Sequence, residues 1–267
     1  MPGCQDGPVA TPSEQGPPTG SLVRLEVHGG VATVTLDSPA NRNALSRRLV
    51  ADLTRQLDVA AADESVRVVV VGSSSPVFCS GADMREAVAD GMQTAARELV
   101  ALQRQLVACP VPVLARLDGP VRAGGLGIVA AADVVVAAEQ VSFALTEVRL
   151  GLAPAVVSLS VLPRLTARAA SWAALSGACF DARQAVEYGL VSRAVPADAV
   201  DAAVEELVAE FRLATRQGLR ETKSLLNAPL LARIDELGEQ VAELSAQLFA
   251  SDEARQAMAA FLDRQPR

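Results

Sequence analysis

The chain has 267 residues, a length that fits one large domain or one domain with a helical appendage. Hydrophobic residues make up 50% and charged residues 21%, so the chain can bury a sizeable core and does not have the composition of a disordered protein. The net charge is −7, and no run of Lys and Arg is interleaved with aromatic residues, which excludes a general nucleic-acid-binding surface.

The N-terminal segment and the cysteines bear on processing and compartment. Residues 1–20 are rich in Pro and Gly and lack an apolar stretch, which predicts a flexible leader and no signal peptide. The longest apolar run, residues 127–138, is interrupted by Asp133 and is shorter than the ~20 residues that a membrane span needs. Four isolated cysteines without a C-x-x-C pair predict free thiols in a cytoplasmic protein and no metal site: Cys4, Cys79, Cys109 and Cys179.

Strand signals open the chain. Residues 22–28 and 31–37 are rich in β-forming residues and flank Gly29-Gly30, which predicts a hairpin. Residues 67–72 (RVVVVG) form an unbroken β-branched run, which predicts a strand covered on both faces. Between these strands a helix is predicted from apolar positions on one face: Leu49, Val50, Leu53 and Leu57.

Helices and strands then alternate. A helix is predicted near residues 95–107, a strand at residues 111–117, a short helix after Gly124, and a strand at residues 133–138. This order predicts an α/β fold.

The last third of the chain is predicted to be mainly helical, from Thr166 onward, apart from a strand at residues 189–195. Helix N-caps are predicted at Asp181, Asp198 and Ser251. A narrow apolar seam with spacings of three and four fits either a helix packed on its own domain or a helix packed against another subunit. It consists of Ile234, Leu237, Val241, Leu244 and Leu248.

Conventional catalytic side chains are scarce in this sequence. His28 is the single histidine, and in a strand just before a turn such a residue is more often surface or core filler than a base. The sequence has no G-x-S-x-G, H-E-x-x-H or P-loop motif, which disfavours serine hydrolases, zincins and NTPases. Residues 125–130 match the dinucleotide pattern G-x-G-x-x-A, but the strand predicted from Asp133 leaves too short a crossover. Any catalysis must therefore rely on carboxylates and the backbone.

Two glycine-containing segments are candidates for backbone chemistry. Residues 79–83 (CSGAD) and the segment that begins at Gly124 each follow a strand and lead into a helix. The unpaired N–H groups and the positive dipole end of a helix start can stabilise an oxyanion. A simple tight turn explains either segment equally well when it is taken alone.

Five motifs, in order, resemble the enoyl-CoA hydratase/isomerase (crotonase) superfamily from about Val23 to Leu262. They are SPANRNALS (38–46), VFCSGADMRE (77–86), ARLDGPVRAGGLGIVAAAD (115–133), FALTEVRLGLAP (143–154) and AFLDR (260–264). The resemblance implies an α/β crotonase (ClpP-like) spiral of ββα repeats with a helical C-terminal oligomerisation region. The implied boundaries are a leader at 1–20, a spiral core at 21–200 and a helical region at 201–267.

The resemblance also implies the catalytic groups. The backbone N–H groups of Ala82 and Gly124 would form an oxyanion hole for a thioester enolate. Glu147 would act as acid and base, because its apolar neighbours in FALTEVRLGL are expected to raise its pKa. The alternative for Glu147 is a surface residue at a strand end.

A surface for coenzyme A and the acyl group is implied by the same motifs. Its residues would be Ala40, Asn41, Arg42, Ser80, Met84, Arg85, Gly125, Gly127 and Pro154. Arg42 or Arg85 would meet a phosphate, although either could equally be a solvated surface charge.

The sequence departs from the family pattern in two places. Gly127 stands where two-glutamate hydratases carry their second carboxylate, so no second side-chain base is available there. Residues 154–158 (PAVVS) replace a Pro-Gly-x-Gly-Gly turn, and their bulk is expected to reshape the acyl pocket.

The predicted function is that of a cytoplasmic enoyl-CoA hydratase that adds water across a 2-enoyl-CoA without a metal or redox cofactor. Its expected partners are an acyl-CoA thioester and further copies of itself in a homotrimer or dimer of trimers, with no nucleic acid and no membrane. A Δ3,Δ2-enoyl-CoA isomerase is the alternative that Gly127 favours, because a single base can carry a proton between C2 and C4. A non-catalytic acyl-CoA-binding subunit is the third interpretation.

Overall fold

A computed structural model describes residues 20–263, which form a mixed α/β structure with a central sheet, a smaller sheet and C-terminal helices. The predicted leader lies outside the described residues except for Gly20, as does the last residue of the AFLDR motif. The strands are β1 (Val23–His28), β2 (Val31–Leu36), β3 (Val68–Ser73), β4 (Val113–Leu117), β5 (Val121–Arg122), β6 (Val134–Ala138), β7 (Ser142–Ala144), β8 (Phe180–Asp181) and β9 (Arg193–Val195).

The α-helices account for the rest of the regular structure, together with 3-10 turns at Pro39–Asn41, Glu147–Leu150 and Ala197–Ala199. The helices are α1 (Arg47–Ala62), α2 (Met84–Asp90), α3 (Gln93–Ala108), α4 (Gly124–Ala131), α5 (Ser158–Arg164), α6 (Ala167–Ser176), α7 (Ala182–Tyr188), α8 (Val200–Leu213), α9 (Arg216–Phe249) and α10 (Asp252–Asp263). None of the helices in the described part of the chain is long and apolar enough to cross a membrane.

The central sheet has the strand order β1-β2-β3-β4-β6-β9, in which only β1 is antiparallel to its neighbour. The predicted hairpin is confirmed: β1 and β2 pair across Gly29 and Gly30, whose φ angles of 55° and 81° suit glycine. β3 is buried on both faces, as its β-branched run predicts. Because β2, β3 and β4 are parallel neighbours, the segments that follow them emerge at the same edge of the sheet.

The smaller sheet, β5-β7-β8, lies beside that edge. β5 is parallel to β7, and β8 is antiparallel to it. The two-residue strand β8 was not predicted, because so short a run has no periodicity. The rings of Phe143 and Phe180 stack with centroids 5.5 Å apart, so the pairing of β7 and β8 buries apolar surface that the sequence pattern alone does not assign.

Helix predictions in the first half of the chain are confirmed. The apolar face of α1 is buried against the sheet, and Ser46 caps the helix by accepting a hydrogen bond from the N–H of Leu49 at 3.2 Å. α3 covers the predicted range near residues 95–107. α4 has eight residues, which confirms that the crossover between β4 and β6 is too short for a dinucleotide-binding unit.

Two of the three predicted N-caps are confirmed. Asp181 forms a capping box with Gln184 at the start of α7, and the Ser251 hydroxyl accepts a hydrogen bond from the N–H of Ala254 in α10. The prediction for Asp198 is wrong, because the chain enters α8 through the 3-10 turn Ala197–Ala199 that contains this residue.

The long helix α9 packs along α3. Arg104 pairs with Asp235 at 2.6 Å, and Gly238 lies so close to α3 that a Cβ atom there would be 2.8 Å from Cγ1 of Val100. The apolar seam of α9 is mostly covered within this chain: Ile234 is buried, and Leu237 and Val241 pack against the main core. The interpretation of a helix packed on its own domain is therefore confirmed for that part of the seam, whereas Leu244 stays 42% exposed.

The cysteines follow their prediction only in part. Cys79 and Cys109 are free and buried. Cys179 is disulfide-bonded, so the prediction of four free thiols is wrong for this residue. Nothing in its local sequence indicated a pair, since the chain has no closely spaced cysteines.

Candidate active site

Three chain segments lie side by side at the edge where β2, β3 and β4 end. These are residues 38–46, 77–82 and 121–124, which follow the three strands in that order. The N–H of Leu45 donates to the carbonyl of Gly81 at 2.8 Å, and the N–H of Arg122 donates to the carbonyl of Cys79 at 2.9 Å. The middle segment is therefore braced by backbone hydrogen bonds on both sides.

This bracing brings together the two N–H groups predicted to form an oxyanion hole. A Cβ atom on Gly124 would lie 3.7 Å from the nitrogen of Ala82, and both residues are half-buried. Within residues 20–263, neither N–H donates a hydrogen bond to the protein, since Gly124 opens α4 and has no partner one turn earlier. Two adjacent unpaired donors at a surface opening are suited to holding a negatively charged oxygen.

The residue before Gly124 has a strained backbone conformation that sets the direction of the Gly124 N–H. Ala123, immediately before Gly124, has φ 45° and ψ −117°, a region that non-glycine residues rarely adopt. Its own N–H donates to the carbonyl of Ala144 in β7 at 2.9 Å. This hydrogen bond joins the start of α4 to β7 at Ala144, three residues before Glu147. It therefore connects the Gly124 N–H to the chain segment that carries the Glu147 carboxylate.

Glu147 begins the 3-10 turn Glu147–Leu150 that follows β7. Burial is the main cause that raises its pKa, from 4.5 to about 7, and its own backbone N–H lowers the pKa by a smaller amount. Its Oε2 atom is buried and has no hydrogen-bond partner in the described chain. A carboxyl group with this pKa and a free oxygen can both give and accept a proton near neutral pH.

The position of the missing second carboxylate is filled by protein. A Cβ atom on Gly127 would lie 3.1 Å from Cγ1 of Val157 and 3.3 Å from Cδ of Gln103. The Gln103 amide is buried and donates to the carbonyl of Val156 at 3.2 Å, while the Ser160 hydroxyl donates to Gln103 Oε1 at 2.6 Å. The site therefore has a packed, hydrogen-bonded wall on the side where a second acidic side chain would project.

The residues predicted to bind coenzyme A fall into three groups. Asn41, Arg42 and Ser80 meet across the first two segments: the N–H of Ser80 donates to the carbonyl of Arg42 at 3.1 Å, and its hydroxyl donates to the carbonyl of Asn41 at 3.2 Å. Ala40 and Arg85 are exposed. Of the other four, Met84 and Pro154 are half-buried, and Gly125 and Gly127 are buried.

An apolar cluster separate from the main core covers the turn that carries Glu147. Leu152, Ala254 and Met258 are buried in it, and Met84, Leu150, Leu248 and Phe249 pack around them. α10 approaches so closely that a Cβ atom on Gly151 would lie 3.2 Å from Cγ of Glu253. The turn that begins at Glu147 is therefore packed against helix residues more than 100 positions later in the chain.

Sequence reasoning missed the residues that hold the site together. Asn43 lies within the motif SPANRNALS, yet a single Asn gives no signal that its side chain is buried. The strain at Ala123 and the contact of Gln103 with position 127 are also invisible in the sequence, because they depend on backbone geometry and on packing between distant elements.

Comparisons with known proteins agree with the fold and the motifs. A sequence profile described as Enoyl-CoA hydratase/isomerase matches residues 26–267. A crystal structure of an enoyl-CoA hydratase from Mycobacterium avium has a TM-score of 0.86 and 46% sequence identity, and the match covers 92% of this chain and 98% of that one. These matches confirm the predicted crotonase fold.

Curated relatives carry more than one activity in their names. A 2,3-dehydroadipyl-CoA hydratase from Escherichia coli K12 is 30% identical over 236 residues, 88% of this chain and 92% of that protein. A trans-2-decenoyl-(acyl-carrier-protein) isomerase from Streptococcus mutans is 26% identical over 250 residues, 91% of this chain and 95% of that protein. On the family match and the fold together, this chain belongs to the enoyl-CoA hydratase/isomerase (crotonase) family.

Proposed function

We propose that the protein hydrates 2-enoyl-CoA thioesters, with the N–H groups of Ala82 and Gly124 holding the thioester oxygen and Glu147 acting as acid and base. The proposal is carried by two adjacent unpaired backbone donors, which the hydrogen bond from Ala123 to Ala144 connects to the chain segment that bears a buried carboxyl group with a pKa of about 7. The names of the hydratases among its relatives support the same reaction class.

The proposed reaction uses one carboxylate twice. Glu147 takes a proton from water as the water oxygen bonds to C3, and the electrons of the double bond move toward the thioester oxygen. Two hydrogen bonds from Ala82 and Gly124 stabilise the resulting enolate, a contribution that amounts to several kcal/mol for such preorganised donors. Glu147 then returns the proton to C2, which a pKa near 7 permits in both directions.

Isomerisation of a 3-enoyl-CoA to a 2-enoyl-CoA is the second candidate. The packed wall at Gly127 favours it, because Val157 and Gln103 leave no second side chain to orient a water molecule. One carboxylate suffices to remove a proton from C2 and deliver it to C4. The isomerase from Streptococcus mutans among the relatives supports this alternative.

A panel of acyl-CoA thioesters separates the two reactions. Purified protein is given short, branched and carboxylated 2-enoyl-CoAs, and 3-enoyl-CoAs of matching chain length, and the products are resolved by mass. Hydration adds the mass of water and removes the conjugated enoyl absorbance. Isomerisation in D2O leaves the mass of the alkene except for incorporated deuterium.

Glu147→Gln is the decisive variant in this assay, and Glu139→Gln is its matched control, since Glu139 is exposed in the turn before β7. We expect Glu147→Gln to lower the rate by about 10²- to 10⁴-fold, the usual contribution of a general acid and base. The control should keep the wild-type rate. Equal rates for wild type and Glu147→Gln on every substrate would overturn the proposed role, and binding without any turnover would indicate a non-catalytic acyl-CoA-binding subunit.

A further inference from the structure

Asn43 is a buried polar residue at the centre of the first segment of the site. It is 0% exposed and has a φ angle of 53°, directly after Arg42 with a φ angle of 57°. Two consecutive non-glycine residues in the left-handed region are costly, and Asn tolerates that region better than most residues. The surrounding structure must therefore compensate for this conformation.

The compensation comes from the Asn43 side chain, which uses all of its hydrogen-bonding groups. Its Oδ1 accepts from the N–H of Ser38 at 2.8 Å, which closes the first segment on itself. Its Nδ2 donates to the hydroxyl of Ser73 at 2.8 Å and to the carbonyls of Val77 and Phe78, each at 3.1 Å. The amide thus connects the end of β3 with the start of the middle segment.

The middle segment carries Ala82, and Asn43 lies between the two backbone hydrogen bonds that align it. On one side the N–H of Ser80 donates to the carbonyl of Arg42 at 3.1 Å, and on the other the N–H of Leu45 donates to the carbonyl of Gly81 at 2.8 Å. Asn43 is therefore the side chain that fixes the position of the first segment against the peptide that precedes Ala82. Hydrogen-bond strength falls steeply with misalignment, so a small tilt of this peptide weakens any bond that the Ala82 N–H makes.

We propose that Asn43 is a positioning residue that aims the Ala82 N–H at the thioester oxygen. The inference rests on the proposed oxyanion role of Ala82 and adds a residue that touches neither the thioester nor the proton. It assigns the buried amide a role in transition-state stabilisation that goes beyond holding the loop together.

Asn43→Asp tests the proposal with a minimal change of shape. The variant keeps the oxygen that accepts from Ser38 but turns the carboxylate toward the carbonyls of Val77 and Phe78, which it cannot bind. We expect kcat to fall about ten- to a hundredfold, up to the loss seen when an oxyanion donor is removed, while KM changes much less. The matched control is Asn227→Asp, because Asn227 is another buried amide, on α9 and outside the three segments, that donates to the carbonyl of Val107 and to the carboxylate of Asp133. It should lower thermal stability without changing kcat.

A spectroscopic probe distinguishes a change in the direction of the Ala82 N–H from a general loss of order in the segment that contains Asn43. 4-(Dimethylamino)cinnamoyl-CoA is a conjugated thioester whose absorbance moves to longer wavelength when hydrogen bonds polarise its carbonyl. Bound to wild type or to Asn227→Asp it should show the full shift, and bound to Asn43→Asp it should lose half of the shift or more. Ser73→Ala, which removes one acceptor of the Asn43 amide, should give a smaller loss in the same direction and serves if Asn43→Asp does not fold.

The outcomes distinguish this inference from the proposed function. A wild-type complex that shows no shift and no turnover overturns the proposed oxyanion hole, and the role of Asn43 with it. A wild-type shift that persists unchanged in folded Asn43→Asp and in Ser73→Ala, with unchanged kcat, overturns the role of Asn43 alone.

Discussion

The segments that carry Ala82 and Gly124 differ from the turn that carries Glu147 in what holds them in place. The first are fixed by backbone hydrogen bonds between neighbours at one edge of the sheet, such as the bond from Leu45 to Gly81. The turn is covered by apolar side chains of α9 and α10, which join it from the far end of the chain. Backbone hydrogen bonds fix the direction of the two donors, whereas apolar contacts hold the turn whose carboxyl group has a pKa raised by burial. Mutations in these two parts of the site should therefore have different effects.

The largest expected effect concerns the attachment of α9, which brings the C-terminal helices to the site. Lys223 is the single lysine of the chain and is buried, with Nζ 2.7 Å from Asp133 and bonded to the carbonyls of Leu106 and Val111. Lys223→Met leaves the Asp133 carboxylate without its cation, so we expect the free energy of unfolding to fall by about 3–5 kcal/mol. Denaturant unfolding measures this change.

The matched control for that variant is Arg220→Met, on the same helix, where Arg220 is exposed and pairs with its neighbour Glu221. Its free energy of unfolding should stay within about 0.5 kcal/mol of wild type. If both variants unfold at the same denaturant concentration, the buried pair does not hold α9 in the way described.

The next largest effect is expected from a substitution that disturbs the segments carrying Ala82 and Gly124. Gly81 has a φ angle of 97°, and a Cβ atom there would lie 3.0 Å from Cβ of Ala123 and 3.4 Å from the carbonyl oxygen of Arg122. Gly81→Ala must push the middle segment away from the start of α4 and separate the two donors. We expect kcat/KM for the enoyl-CoA substrate to fall about 10²- to 10³-fold, as for the loss of one oxyanion donor.

Gly91→Ala is the control that distinguishes the effect of moving the two donors apart from the effect of backbone strain alone. Gly91 also has a positive φ angle, 74°, but a Cβ atom there would meet nothing within 4 Å. Both variants should lose stability through backbone strain, Gly81→Ala more because of its contact with Ala123, and only Gly81→Ala should lose activity. Comparable activities would show that the distance between Ala82 and Gly124 does not matter for turnover.

The same contrast explains what could be predicted from the sequence. The hairpin, the buried β3 and the helix α1 follow from patterns within short windows, and the prediction matched the structure at each of them. The strand β8 and the 3-10 turn at Asp198 escaped prediction, because short elements are determined by tertiary contacts and carry no periodicity.

At the site, sequence motifs pointed to Glu147 and to the two glycine-containing segments. The structure places these two segments at one edge of the central sheet and connects the second of them to β7, which precedes Glu147. The motifs did not reveal that Asn43 braces these segments or that Val157 and Gln103 fill the space beside Gly127. Those relations join residues far apart in the chain, and no local pattern encodes them.

A smaller effect, in the apolar half of the site, is the dependence of stability on the ionisation of Glu147. Its pKa is raised from 4.5 to about 7 in the folded protein, so the folded state binds the proton more tightly than the unfolded state does. The stability that this group contributes is complete below pH 4.5 and is lost as the pH rises to about 7. The loss is on the order of 3 kcal/mol.

Glu147→Gln removes the titrating group and should remove this dependence. The difference in free energy of unfolding between wild type and variant, measured at several pH values from 4 to 8, should shift in favour of the variant as the pH rises. A difference that stays constant across this range would mean that the Glu147 carboxyl is not shielded from water in the folded protein.

The smallest effect we predict tests whether α10 causes that shielding. Met258 is buried in the apolar cluster over the Glu147 turn, so Met258→Ala should admit water and lower the pKa of Glu147 by about one unit. The acid limb of the pH profile of kcat/KM should move to lower pH by the same amount. Gln256→Ala, an exposed neighbour on α10, should leave the limb in place. An unmoved limb in Met258→Ala would mean that elements before α9, and not α10, shield Glu147 from water. The backbone segments and the Glu147 turn would then depend on the same part of the chain.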